Sequence, residues 1–112
     1  MNILELCLSP DLGGLELYML RTTKALLPRH KMLAVITKDA RLKQYLKNEN
    51  IEYTELLSRF RFLPIKNAYK LASIIDNNDI DLIHMHWGKD LPLAAFAKIL
   101  SKRKPALVYT LT

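Results

Sequence analysis

Four short apolar runs and one short alternating run, separated by stretches of helical period, leave this chain few folds to adopt. The runs are Asn2–Leu8, Met32–Thr37, residues 51–55, Asp81–His86 and Ala106–Thr110. Each is too short for a buried helix and is bounded by turn residues or charge, so each reads as a strand. Between them the period changes. From Leu15, the residues Leu15, Tyr18, Met19, Thr22, Ala25 and Leu26 fall on one helical face, with Arg21 and Lys24 opposite and Pro28 near the end. Residues 40–48 form a basic amphipathic helix with Leu42, Tyr45 and Leu46 inward and Asp39 as its N-cap. Pro64 opens a helix that turns Ala68, Leu71, Ala72 and Ile75 to one side and ends at Asn77-Asn78-Asp79. Residues 91–102 form another, with Pro92 in its first turn and Ala94, Ala95, Ala97 and Ile99 as small and apolar surface. Residues 56–63 show no clean period.

Strands alternating with helices imply right-handed crossovers and a parallel sheet covered on both faces. The expected architecture is α/β: a Rossmann-like, doubly wound parallel sheet of about five strands in order 3-2-1-4-5, in three α/β/α layers. A chain of 112 residues supports one such domain, spanning residues 1–112. Ligands of these sheets bind beyond the carboxyl ends of the strands, where the strand order reverses. That point lies between the first and fourth strands and brings residues 9–14 and 84–90 to one crevice.

The chain carries a formal net charge of +6, unevenly spread. Residues 21–47 hold eight Lys and Arg against the single acid Asp39, and residues 59–70 hold Arg59, Arg61, Lys66 and Lys70 with no acid. A basic surface attracts phosphate in any form, and a solvated helix face accounts for the same charges. Cys7, the only cysteine, excludes an intrachain disulfide and sits in an apolar run as a buried thiol. The N-terminal run is short, acidic at Glu5 and has no basic region before it, unlike a secretory signal. No stretch has the roughly 20 apolar residues of a membrane-spanning helix. The expected location is cytoplasmic.

Three constellations could carry chemistry. In Ser9-Pro10-Asp11-Leu12-Gly13-Gly14-Leu15-Glu16, two glycines between strand and helix let a ligand approach the backbone and leave free N–H groups at a helix N-terminus, which favours phosphate. Glycines serving a tight turn alone are the other reading. The string is neither a G-x-G-x-x-G fingerprint nor a Walker loop. In His84-Met85-His86-Trp87-Gly88, the two histidines point the same way on a strand. His86, at the strand end, is placed to contact a ligand or move a proton, and His84 to lie satisfied in the core. No third ligand in the sequence supports a metal there. Trp87 either packs on the sheet or stacks on a ligand. In Arg59-Phe60-Arg61-Phe62-Leu63-Pro64-Ile65-Lys66, cations interleave with rings. That pattern suits an anionic membrane surface or a covering loop, and nothing else in the chain matches a nucleic-acid-binding fold.

In order, these pieces resemble the N-terminal domain of GT-B-fold group 1 glycosyltransferases over essentially the whole chain. Gly13-Gly14-Leu15-Glu16 resembles that family's G-G-x-E turn, Asp79 to Trp87 its "pDiiHaHw" strand, and Lys104 to Thr110 its "kkPvVyT" strand. The resemblance implies a retaining transferase of hexosyl type, built from two facing domains and using a nucleotide-diphosphate sugar as co-substrate. It implies no further cofactor and usually no metal. Gly13 and Gly14 inherit approach to the donor diphosphate. His86 inherits a place near the sugar as the catalytic candidate, and Glu16 and Trp87 fall on the acceptor side. The acceptor is expected to be a glycan or a lipid-linked sugar in cell-envelope polysaccharide synthesis. Arg59, Arg61 and Lys66 would then serve peripheral attachment to the inner membrane face.

Two departures qualify the resemblance. Thr112 stands where many relatives have a histidine, and the C-terminal donor domain is missing. The fragment alone is therefore expected to be inactive, because transition-state binding needs both walls of the cleft. A stand-alone doubly wound binding or regulatory module is the competing expectation.

Overall fold

The computed structural model describes residues 1–9, 12–56 and 64–110. The strands are β1 (Asn2–Cys7), β2 (Lys31–Thr37), β3 (Tyr53–Leu56), β4 (Leu82–Met85) and β5 (Ala106–Tyr109). The helices are α1 (Gly14–Leu26), α2 (Leu42–Asn48), α3 (Pro64–Asn77) and α4 (Leu91–Leu100), the last preceded by a 3-10 turn at Gly88–Asp90. All strand pairs are parallel and the order is β3-β2-β1-β4-β5, as the alternating pattern implies.

The sheet separates two cores because successive side chains point to opposite faces. Leu4, Leu6 and Leu8 join Leu33 and Val35 under α3 and α4, where Ala68, Leu71, Ile75, Ala94 and Ala97 are buried. Cys7, Ala34 and Ile36 face α1 and α2 and pack with Met19, Leu42 and Leu46. Small alanines on α3 and α4 let those helices approach the sheet and each other closely. Asn50 (φ 56°) and Asp79 (φ 51°) turn the chain out of α2 and α3 in the left-handed region, which Asn and Asp tolerate better than most residues.

Several sequence expectations shift. The buried stripe of α1 is Glu16, Met19 and Thr23; Tyr18 is half exposed and Ala25 exposed. An acid at the helix start displaces the apolar stripe because its carboxylate is used by the backbone, as described below. Tyr45 and Ile99 face solvent rather than the core. Helix α2 begins after Arg41, with no side-chain cap, so Asp39 is not its N-cap. The unpatterned segment falls largely on residues 57–63, outside the described residues.

At the amino ends of the strands, the Asp81 carboxylate accepts from the Asn2 backbone N–H at 2.8 Å and from Arg103 at 2.7 Å. This ties β1 to β4 at the end remote from the crevice.

Candidate functional site

Beyond the carboxyl end of β1, the chain enters α1 through Gly13. Its conformation is extended (φ −140°, ψ −160°), and no described glycine has positive φ. A Cβ on Gly14 would meet no described atom within 4 Å. Neither backbone strain nor packing among the described residues demands glycine at 14. Glu16, three residues after Gly13, is buried and accepts the Gly13 N–H at 2.7 Å. Its negative charge offsets the positive end of the α1 dipole, and it occupies one of the donors a phosphate could otherwise take.

Beside this helix start lies a buried polar cluster that the sequence pattern did not single out. Glu5 and His84 are register partners on β1 and β4. His84 Nδ1 stands 3.1 Å from both Glu5 carboxylate oxygens. His86 Nε2 stands 2.7 Å from Glu5 Oε2. His84 Nε2 meets the Thr110 hydroxyl just past β5. A four-member chain of polar contacts thus runs Thr110–His84–Glu5–His86. Tyr18, on the second turn of α1, meets the His86 ring edge-on with centroids 5.7 Å apart. That contact joins the Gly13-Gly14 helix to the histidine strand.

Burial alone would push the Glu5 carboxyl up. Hydrogen bonds from His84 and His86 outweigh it and hold Glu5 below the ordinary glutamate range. The signal was present in the sequence: an acid in the middle of an apolar strand is costly unless paired. Its partner on β4 becomes visible only once β1 and β4 are known to be neighbours.

His86 lies one residue past β4 and is more deeply buried than His84. Its Nδ1 is buried and has no hydrogen-bond partner among the described residues. His84, by contrast, is satisfied at both ring nitrogens but only partly buried, so the expected order of burial of the two histidines is reversed. Glu5, His84 and His86 are also the one group among the described residues whose ligand atoms could converge on a metal.

Asp90 is a second acid the sequence reading missed. It is buried at the start of α4 and accepts the Leu8 backbone N–H at 2.9 Å, bridging the ends of β1 and β4. Burial outweighs that bond and pushes its pKa up to about 7. Burial also pushes the Cys7 thiol up to about 12, leaving it protonated and inert at neutral pH.

The other candidates lie apart from this cluster. Trp87 packs against the α3/α4 core, with the Lys89 ammonium 5.3 Å from the centre of its ring. Lys66 is exposed in the first turn of α3. Arg59 and Arg61 lie outside the described residues.

The sequence model of a family described as "Glycosyl transferase 4-like" matches residues 5–112. No curated protein matches the chain significantly. Among solved structures, Anabaena Alr3699/HepE in complex with UDP and glucose is similar at 26% identity and a TM-score of 0.78, over 97% of this chain and 29% of that one. A glycosyltransferase from Rickettsia africae ESF-5 superposes with a TM-score of 0.82 at 21% identity, over 98% of this chain and 29% of that one. Acinetobacter baumannii MurG superposes with a TM-score of 0.80 at 14% identity, over 96% and 34%. This chain thus spans about a third or less of each of these proteins. The last two likenesses concern fold. The resemblance carried by the three sequence strings holds at the level of family and fold.

Proposed function

Because the chain belongs to the glycosyl transferase 4-like family, we propose that it forms the N-terminal, acceptor-side domain of a glycosyltransferase moving a sugar from a nucleotide-sugar donor to a glycan or lipid-linked acceptor. One observation carries the reading. The contact between Tyr18 and His86 brings the glycine-led start of α1 and the histidine strand together at the sheet's switch point. The open space at Gly14 suits a diphosphate approaching the backbone N–H groups of the helix start. His86, whose Nδ1 has no partner among the described residues, suits a sugar hydroxyl. The binding of UDP-glucose by Anabaena HepE, whose fold this chain shares, supports a nucleoside-diphosphate sugar as donor.

Within this reading, Glu16 acts on the acceptor side by holding Gly13 in place, and Trp87 by shaping the wall below His86. Each acts through position rather than by direct chemistry. The domain spans residues 1–112, and the second wall of the cleft comes from a further domain of the complete protein. The transfer needs neither a metal nor a cofactor.

Exposed Ile65 and Tyr69 alternate with exposed Lys66 and Lys70 on the first turns of α3. That face supports peripheral contact with an anionic membrane, where a lipid-linked acceptor resides. No helix among the described residues is long and apolar enough to cross a membrane.

The test is transfer by the complete protein from a panel of nucleotide sugars, UDP-glucose first, to lipid-linked and free glycan acceptors. Transfer that is lost in Gly14→Trp supports the proposal. Absence of transfer from every donor, or full activity in Gly14→Trp, overturns it.

A further inference from the structure

The geometry points to Glu5 as a positioning residue: its buried carboxylate fixes the tautomers of His84 and His86, so that His86 is protonated on Nε2 and holds Nδ1 open as an acceptor for a substrate hydroxyl. The identity of that substrate as a sugar rests on the proposed glycosyltransferase reading; the tautomers do not.

An ionised carboxylate only accepts hydrogen bonds. The nitrogens that face Glu5, Nδ1 of His84 and Nε2 of His86, must therefore both carry protons. In a neutral His84 ring this leaves Nε2 as a lone pair that accepts from the Thr110 hydroxyl, so both ring nitrogens are satisfied. In a neutral His86 ring the same constraint leaves Nδ1 as the lone pair, buried and without a partner among the described residues. A buried acceptor left unpaired is costly, and a hydroxyl donor arriving with substrate would relieve that cost. The carboxylate behind the ring makes that lone pair a better acceptor, as an acid that orients a catalytic histidine does.

Glu5 is buried beneath both rings and does not meet substrate itself. Its effect passes through the two imidazoles. The cross-strand pairing of Glu5 with His84 sets the carboxylate depth, and the two-residue repeat of β4 puts His86 on the same face.

The same three side chains could instead hold a metal. Ligand atoms about 2.0–2.2 Å from a tetrahedral metal stand farther apart than a hydrogen-bonded pair. The 2.7 Å between His86 Nε2 and Glu5 Oε2 is a hydrogen-bond distance.

The experiment is long-range proton–nitrogen NMR of the full chain labelled with 15N-histidine, near neutral pH, for the wild type, Glu5→Gln and Glu5→Leu. The expected wild-type spectrum has His86 protonated on Nε2 and His84 on Nδ1, each as one tautomer. A glutamine replaces one acceptor oxygen with a donor NH2 and removes the charge, so Glu5→Gln is expected to move at least one ring away from its single wild-type tautomer. His86 protonated on Nδ1 in the wild type, or unchanged tautomers in both variants, overturns the proposal. So does a wild-type sample in which added Zn²⁺ at micromolar concentration removes both N–H signals. Glu5→Leu covers the case in which Glu5→Gln does not fold, because it removes the acceptor without placing a new donor beside the rings.

In the complete protein, Glu5→Gln is expected to lower kcat by at least about tenfold while KM for UDP-glucose stays within about threefold. Altered tautomers with an unaltered kcat would break the link to substrate and overturn that part. If the wild-type complete protein transfers no sugar, the functional reading falls, and the tautomer spectra still decide the role of Glu5.

Discussion

Glu5 on β1 and His84 on β4, 79 residues apart in sequence, are register partners whose side chains meet 3.1 Å apart across the middle of the sheet. A carboxylate in that position is tolerable only because His84 and His86 both donate to it. The pair ties together the first and fourth strands at the point where the strand order reverses.

Replacing Glu5 therefore changes stability in a pH-dependent way. The folded-state pKa of Glu5 lies below its unfolded value, so its ionised form favours folding above the unfolded pKa of about 4.5. That contribution is lost as pH falls through the folded value. Glu5→Gln is expected to destabilise the chain by about 3 kcal/mol at pH 7, with a smaller difference from wild type at pH 3. Urea unfolding at both pH values measures it.

Asp90 works in the opposite sense. Its folded pKa of about 7 lies above the ordinary 3.8, so the folded state binds the extra proton between those values. Stability then falls as pH rises from about 4 to 7, and the penalty is complete above 7. Asp90→Asn keeps an acceptor for the Leu8 N–H without the charge. We expect it to unfold at higher temperature than wild type at pH 8, with the gain shrinking toward pH 4. Thermal melts across that range check both the sign and the window.

Gly14 separates fold from function. Its φ is not positive and a Cβ meets no described atom, so Gly14→Ala should leave stability unchanged or raise it by up to about 1 kcal/mol. If a diphosphate occupies that space, the same substitution weakens donor use, and Gly14→Trp abolishes it. Calorimetry on the chain and transfer assays on the complete protein should therefore move independently. A large loss of stability in Gly14→Ala would show that the glycine serves the fold.

The basic face of α3 yields an ionic prediction. Flotation of the chain with vesicles containing anionic lipid should fall when Lys66 and Lys70 are both changed to Glu, and should weaken as salt rises. Equal flotation with neutral and anionic vesicles would remove the electrostatic basis of the idea.

Much of the fold was legible in the sequence because parallel strands buried on both faces must be apolar, and the helices between them must show a 3.6-residue stripe. The runs at Asn2–Cys7, Lys31–Thr37 and Leu82–Met85, and the stripe Ala68, Leu71, Ala72 and Ile75, carry that information residue by residue. The helix α1 shows where it fails. Glu16 is buried because its carboxylate is spent on the Gly13 N–H, an exchange that hydrophobic period does not register.

The candidate site divides along the same line. Gly13, Gly14 and His86 stand out by position in local strings, and the strand order places them at one crevice. Glu5 and Asp90 read in sequence as ordinary acids, one in a strand and one near a helix start. Their meaning depends on partners 79 and 82 residues away, brought close by the β1–β4 pairing. Local sequence determined the elements and their order, because backbone propensity and burial pattern act over a few residues. Only the tertiary structure decided which buried charges are paired and which ring nitrogen stays open, because those are settled by distances across the sheet.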